Sequence, residues 1–263
     1  MKMTTMIGQF IPGRSVLHRL DVRFKLVQTL CLVVILLMAK TYVAYGLMTI
    51  FVAACVLMSG VPIKMLVRSL KPLWLILSFT LIYNFFFIRE GTLLWGWRFI
   101  TITDQGLQSG IFLTLRFVLL IIGTSLLTFT TSPIALTDGL ESLMSPLKKL
   151  RFPAHELAMM MSIALRMIPT LMEEAERIIK AQQARGADFE TGNIMRRAKA
   201  LIPVLVPLFV SAFRRAEDLA LAMESRCYHG GEGRTRMKIY RAGWIDLVAC
   251  VLMAGLTAGM IWL

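Results

Sequence analysis

The chain has 263 residues, of which 57% are hydrophobic and only 17% charged, with a mean hydropathy of +0.68. A soluble domain holds about 45–50% apolar and about 25% charged residues, and has no surface to hide such an excess. That excludes an ordinary soluble enzyme, a disordered chain and a disulfide scaffold, and it points to lipid as solvent.

Apolar runs of roughly 17–25 residues match a hydrocarbon core of about 30 Å. Five are expected, at Phe24–Ala39, Tyr42–Met58, Pro72–Ile88, Leu107–Phe129 and Trp244–Leu263. The net charge of +13 is unevenly shared among their connections. Five bases precede or open the first run, three lie between the second and third, and seventeen lie between Thr130 and Gly243. Basic connections alternate with nearly neutral ones, which predicts a cytoplasmic N-terminus, a cytoplasmic 130–243 segment and an external C-terminus. In a membrane chain this charge calls for no nucleic acid. Trp74, Trp95, Trp97, Trp244 and Trp262 fall at or near span ends, as an interfacial belt requires, although packing explains each singly as well. Cys31, Cys55, Cys227 and Cys250 form no C-x-x-C pair, and the three in apolar runs read as small buried hydrophobes, not as a disulfide frame or metal site.

Within the fourth run, Arg116 is the single deep charge. A charge at that depth is a functional candidate by default. No acid in another span offers itself as a partner, so the expectation is snorkelling or a polar contact, with an ion path as the alternative.

The long polar segment carries twelve of the sixteen acids. A first helix is expected from near Pro153, with Leu157, Met161, Ala164, Ile168, Leu171, Ala175 and Ile178 as its stripe, widened by Met160, Met167, Met172 and Ile179, kinked at Pro169 and ended by a left-handed cap at Arg185-Gly186. Asp188 to Asn193 reads as a turn. A second helix is expected from about Ile194 to Tyr228, kinked or broken at Pro203 and Pro207, and stopped by the glycines after His229. The Met-rich face of the first helix (Met159, Met160, Met161, Met167, Met172) reads either as plain packing or as a surface that accepts several partners.

The two helices echo each other. Ala175-Glu176, Ala181 and Ala184-Arg185-Gly186 return 41 residues later as Ala216-Glu217, Ala222 and Ser225-Arg226-Cys227. In each copy an arginine stands between two small residues at a helix end. Small flanks leave the guanidinium protruding, and its fixed fork of donors suits carboxylates and carbonyls within a partner's groove. The plainer reading is that the arginine complements the helix dipole and caps carbonyls.

The chemistry inventory is negative. No G-x-x-x-x-G-K-[ST] occurs to cradle phosphates, and His155-Glu156 fails as H-E-x-x-H because Met159 holds the fifth position. Glu173-Glu174 with Arg177 falls one residue short of the E-E-x-x-x-R of an intramembrane protease class. The three histidines, His18, His155 and His229, are far apart. Neither a catalytic residue set nor a metal site is expected.

Two small-Arg-small motifs at the ends of long helices resemble the transmembrane component (EcfT) of energy-coupling factor transporters. The resemblance extends through Gly13-Arg14-Ser15, Asp21 to Lys25 and Arg166-Met167-Ile168-Pro169. It continues through Ala222 to Tyr228 and Gly230 to Thr235, and so covers essentially the whole chain. Its form looks like the shared EcfT of Gram-positive bacteria rather than a dedicated cobalt or nickel version.

That resemblance implies an all-α integral membrane protein with about five transmembrane helices plus long amphipathic cytoplasmic coupling helices. Its parts would be a four-span region (1–130), a coupling-helix region (131–243) and a C-terminal span (244–263) in the cell membrane. It implies a non-catalytic scaffold without cofactor, since ATP is bound by two partner ATP-binding-cassette ATPases of EcfA and EcfA′ type. Arg185, with Ala184 and Gly186, would dock one ATPase, and Arg226, with Ser225 and Cys227, the other. The second copy departs from the family's usual Ala-Arg-Gly at its third position. Small substrate-binding membrane S components, several and interchangeable, would dock against Met160, Met161, Ala164, Leu165, Ile168, Leu205 and Leu208, and would carry vitamins or other micronutrients. The alternative is a stand-alone ion-coupled secondary transporter that relies on Arg116.

Overall fold

The computed structural model describes residues 10–39, 41–87, 93–97, 100–146, 152–189, 191, 193–230 and 243–262. For 86, 87, 93–97, 100–103, 194, 196 and 261 it gives backbone alone. Lys2, Lys40, Ile88, Arg89, Arg98, 231–242 and Leu263, which entered the sequence reading, lie outside the described residues.

The described chain is helical apart from one hairpin. In order come α1 (Val16–Arg19), α2 (Val22–Met38), α3 (Tyr42–Ser59), α4 (Ile63–Leu70), a 3₁₀ turn (Lys71–Leu73) and α5 (Trp74–Phe87). Strands β1 (Leu93–Trp97) and β2 (Ile100–Thr103) follow, paired antiparallel. Then come α6 (Asp104–Thr130), α7 (Pro133–Met144), α8 (Ala154–Ala184), α9 (Ile194–Glu224) and α10 (Trp244–Trp262). The chain is thus an all-α membrane protein, and among the described residues three helical runs are long and apolar enough to cross a bilayer: Tyr42–Ser59, Ile63–Phe85 and Asp104–Thr130. Trp244–Met260 is a shorter apolar helix, and α2 has 17 residues.

The sequence pattern placed α2, α3, α5, α6 and α10 but missed α1, α4, α7 and the hairpin. These are short elements without a long apolar run. Pro133 opens α7 where its missing N–H costs nothing, and Ser132 caps the helix by accepting from Ala135 N–H at 3.3 Å. Two further expectations need correction. The second long helix is not broken at Pro203 or Pro207, since α9 runs continuously through both. It also stops at Glu224 rather than Tyr228, because Ser225–Cys227 form a turn.

The chain divides into two compact units, residues 8–139 with 239–263 and residues 1–7 with 140–238. In the first, Leu32, Ile35 and Leu36 of α2 pack with Met48 and Val52 of α3, Leu119 of α6 and Met253 of α10. Where α6 meets α2, a Cβ on Gly123 would lie 2.7 Å from Leu32 Cδ2, so a larger residue there would have to push the end of that side chain aside.

Polar groups inside this unit are held by one another. Arg116 donates from Nη2 to Ala39 O (2.7 Å) and from Nε to Tyr45 Oη (2.8 Å). Tyr45, 2% exposed, stacks on Phe112 with ring centroids 4.8 Å apart. The guanidinium therefore satisfies a carbonyl at the C-terminal end of α2, where the helix dipole favours a cation. Buried Asp246 accepts from the N–H groups of Asp21 (2.8 Å) and Gly243 (2.7 Å), which ties the first turn of α10 to the cap of α2. Buried Lys25 donates to Thr130 O (3.2 Å) and Thr131 Oγ1 (3.3 Å) at the end of α6.

Candidate functional site

The second unit holds the long amphipathic pair α8 and α9. At their seam lies a small cavity lined by Ile163, Met167 and Leu171 of α8 and by Ala212, Ala216, Leu219 and Met223 of α9. Leu171 of the expected stripe and Met167 of its widening lie at this seam, whereas Ile163 was not anticipated. Met161 and Ile168 are 46% and 39% exposed, so α8 is apolar on two faces and only one of them covers α9.

At the seam, Arg215 donates from Nη2 to Glu174 Oε2 at 3.1 Å. Glu174 therefore partners Arg215 rather than Arg177, and the protease-like reading of Glu173-Glu174 gains no support from it. Arg215 stands 41 residues after Glu174, the same interval that relates the two motifs. Counterpart positions of the echo thus meet each other where the helices pack. Arg185 lies eleven residues beyond Glu174 and Arg226 eleven beyond Arg215. At 1.5 Å per residue each arginine sits about 16 Å along its helix from the pair. The two motifs end arms of equal length.

Their caps match bond for bond. In the first, the N–H groups of Arg185 and Ala187 both donate to Gln182 O (3.1 and 2.9 Å), and Gly186 N–H donates to Gln183 O (2.9 Å). In the second, those of Arg226 and Tyr228 donate to Met223 O (3.2 and 3.1 Å), and Cys227 N–H donates to Glu224 O (2.8 Å). Both are Schellman caps, in which a left-handed residue after the cap turns the chain back over its last carbonyls. That residue is Gly186 at φ +88° and Cys227 at φ +55°. Cys227 is the one non-glycine with positive φ among the described residues.

The third motif position is therefore a conformational requirement. A Cβ on Gly186 would meet nothing within 4 Å, so crowding within the fold does not select glycine there. Left-handed φ does. At Cys227 the same turn is kept against a penalty of roughly 1–2 kcal/mol for an L-residue.

Ala184, Arg185, Gly186, Ser225, Arg226 and Cys227 are all exposed. Among the described residues, the Arg185 and Arg226 side chains have no hydrogen-bond or ion-pair partner. The backbone N–H groups close the caps, so neither guanidinium is needed to satisfy them. Of the apolar docking candidates, Met160, Met161, Ala164, Ile168 and Leu205 are exposed, while Leu165 and Leu208 are half-buried. Sequence reasoning missed the Glu174–Arg215 pair and the His155–Glu141 pair (Nδ1 to Oε1, 2.9 Å), which links the opening turn of α8 to α7. The 41-residue interval contained the signal for the first. Among the described residues no three His, Cys, Asp or Glu side chains cluster as metal ligands.

The chain thus combines a helical membrane unit with an amphipathic helix pair that ends in two matched, exposed arginine caps. The profile of the cobalt transport protein family CbiQ matches residues 13–238. The chain is 52% identical over 255 residues to the energy-coupling factor transporter transmembrane protein EcfT of Thermosediminibacter oceani, covering 97% of this chain and 96% of the relative. It is also 52% identical over 250 residues to the protein of that name from Acidaminococcus fermentans, covering 95% and 93%, and 50% identical over 232 residues to that of Bacillus subtilis, covering 88% of each. The chain belongs to the EcfT family, the transmembrane components of energy-coupling factor transporters.

Proposed function

We propose that the protein is the non-catalytic scaffold that passes ATP-driven motion from two ATPase subunits to a substrate-binding S component in the cell membrane. The observation that carries this reading is the pair of matched caps, each offering an unengaged arginine eleven residues beyond a member of the Glu174–Arg215 contact. Two like arms call for two like receivers. Arg185 docks in a groove of one ATPase, of EcfA type, and Arg226 in the equivalent groove of an EcfA′-type subunit. Closure of the ATPases on ATP then shifts the arms, and α8 and α9 carry the shift to their apolar outer faces.

Those faces receive the S component, with Met160, Met161, Ala164 and Ile168 on α8 and Leu205 on α9 exposed, and Leu165 and Leu208 beside them. Flexible methionine suits a surface that accepts several S components. The cargo, a vitamin or other micronutrient, is bound by that partner, and ATP by the ATPases. In this reading the chain crosses the membrane five times, with α2, α3, α5, α6 and α10, over regions 1–130 and 244–263. Its N-terminus and 131–243 lie in the cytoplasm and its C-terminus outside.

A stand-alone ion-coupled carrier would need Arg116 available to an ion or substrate. Arg116 is instead engaged by Ala39 O and Tyr45 Oη, which favours the scaffold. The test is purification of the tagged protein from its native membrane in mild detergent, with partners identified by mass. Two nucleotide-binding ATPases and one or more small membrane proteins are expected. A protein that emerges alone and transports by itself contradicts the proposal.

A further inference from the structure

The connection between α3 and α5 carries a feature that coupling does not use. Lys64, Arg68 and Lys71 follow one another at steps of four and three, which sets them on one face of α4 and the turn after it. The opposite side of α4 is anchored by Leu66, 4% exposed, against Val61, Leu126 and Phe129. All three cations are exposed, and among the described residues none pairs with a carboxylate. Three like charges on so short a segment repel one another, so the arrangement favours an anionic occupant.

A groove runs from these cations between α5 and α6. Beside them stands Trp74, 71% exposed, and beyond it the walls become mostly apolar, with Leu77, Leu81 and Val118 beside the hydroxyl residues Ser78 and Thr114. No acid lines it. A cationic mouth, a tryptophan at the polar–apolar boundary and an apolar channel along two membrane helices together match one amphiphile. We propose that this groove is a binding site for a single anionic phospholipid, with its phosphate on Lys64, Arg68 and Lys71 and an acyl chain along Leu77, Leu81 and Val118. A soluble phosphate would leave the apolar channel empty, and an acidic protein surface would leave it unfilled as well. The site makes no use of the arginine caps and stands whether or not the coupling reading holds.

The test takes the protein with whatever partners purify with it, places it in nanodiscs of equal phosphatidylglycerol and phosphatidylcholine, and counts lipids retained after transfer to mild detergent by native mass spectrometry. Phosphatidylglycerol is expected to remain in preference. At about fivefold per cation lost, the variant Lys64→Gln/Arg68→Gln/Lys71→Gln is expected to lose that preference by well over tenfold. A control that removes three exposed bases elsewhere, Arg197→Gln/Lys199→Gln/Arg214→Gln, is expected to keep it. Leu81→Trp leaves every charge in place and fills the channel; it is expected to expel the lipid, and it decides the matter if the triple variant fails to fold. Inorganic phosphate at millimolar concentration is expected not to displace the lipid. Unchanged retention in the triple variant or in Leu81→Trp overturns the proposal. So does loss of ATPase subunits with lipid retention intact, which would make the patch a protein contact.

Discussion

Arg116 of the membrane unit and the two motif arginines of the helix pair are treated in opposite ways. In the membrane unit Arg116 is held by Ala39 O, by Tyr45 Oη and by the Tyr45 ring, whose centroid lies 5.8 Å from its Cζ. In the helix-pair unit Arg185 and Arg226 stand on closed caps that do not need them. The same side chain is internal cement in one place and an offered group in the other. The distinction follows from solvent. In a low-dielectric interior an unpaired charge costs several kcal/mol and must be engaged, whereas at a wet helix end it is free to wait for a partner.

That contrast breaks most visibly on function. Arg185→Ala together with Arg226→Ala is expected to reduce uptake into vesicles at least about a hundredfold while leaving the melting temperature unchanged, since two charge-assisted contacts of about 1.5–3 kcal/mol each are lost. Uptake and thermal unfolding of the same preparations check both halves. Arg116→Leu is expected to do the reverse, with a loss of about 1–3 kcal/mol in stability, since Ala39 O and Tyr45 Oη would keep only their 3.3 Å bond to each other. A variant as stable as the parent would show that the membrane unit does not rely on this charge.

A smaller effect is expected at the start of α10. Asp246→Ala removes the acceptor of two N–H groups and is expected to cost about 2 kcal/mol, visible as faster proteolysis near Gly243. The finest test compares the two caps. Cys227→Gly is expected to stabilise the second by about 1 kcal/mol, and Gly186→Cys to weaken the first by a similar amount. Equal effects of either sign at both positions would remove the left-handed turn from the explanation.

Much of this was legible before any coordinates. Long apolar runs announced the membrane helices, because burial in lipid demands continuous sequence. The interval from Arg185 to Arg226 announced the matched arms, because equal helices carry equal spacing. Asp246 was less legible: three residues into an apolar run, it gave no sign that its partners were backbone N–H groups 3 and 225 positions away. Cys227 was misleading in another manner. Its small size suggested room for the arginine, whereas its backbone answers to the φ that glycine adopts freely in the first copy. The hairpin was missed because Ile100 to Thr103 alternates over only four residues.

The central claim is that the two caps are received by two different subunits. Gln183 and Glu224 are exposed counterparts 41 residues apart, each two positions before its arginine, so a photoreactive residue there leaves both guanidinium groups intact. Illumination of the complete transporter is expected to join each position to an ATPase subunit, and the two positions to different ones. Crosslinks from both positions to the same subunit, or to lipid and S component alone, would contradict the account.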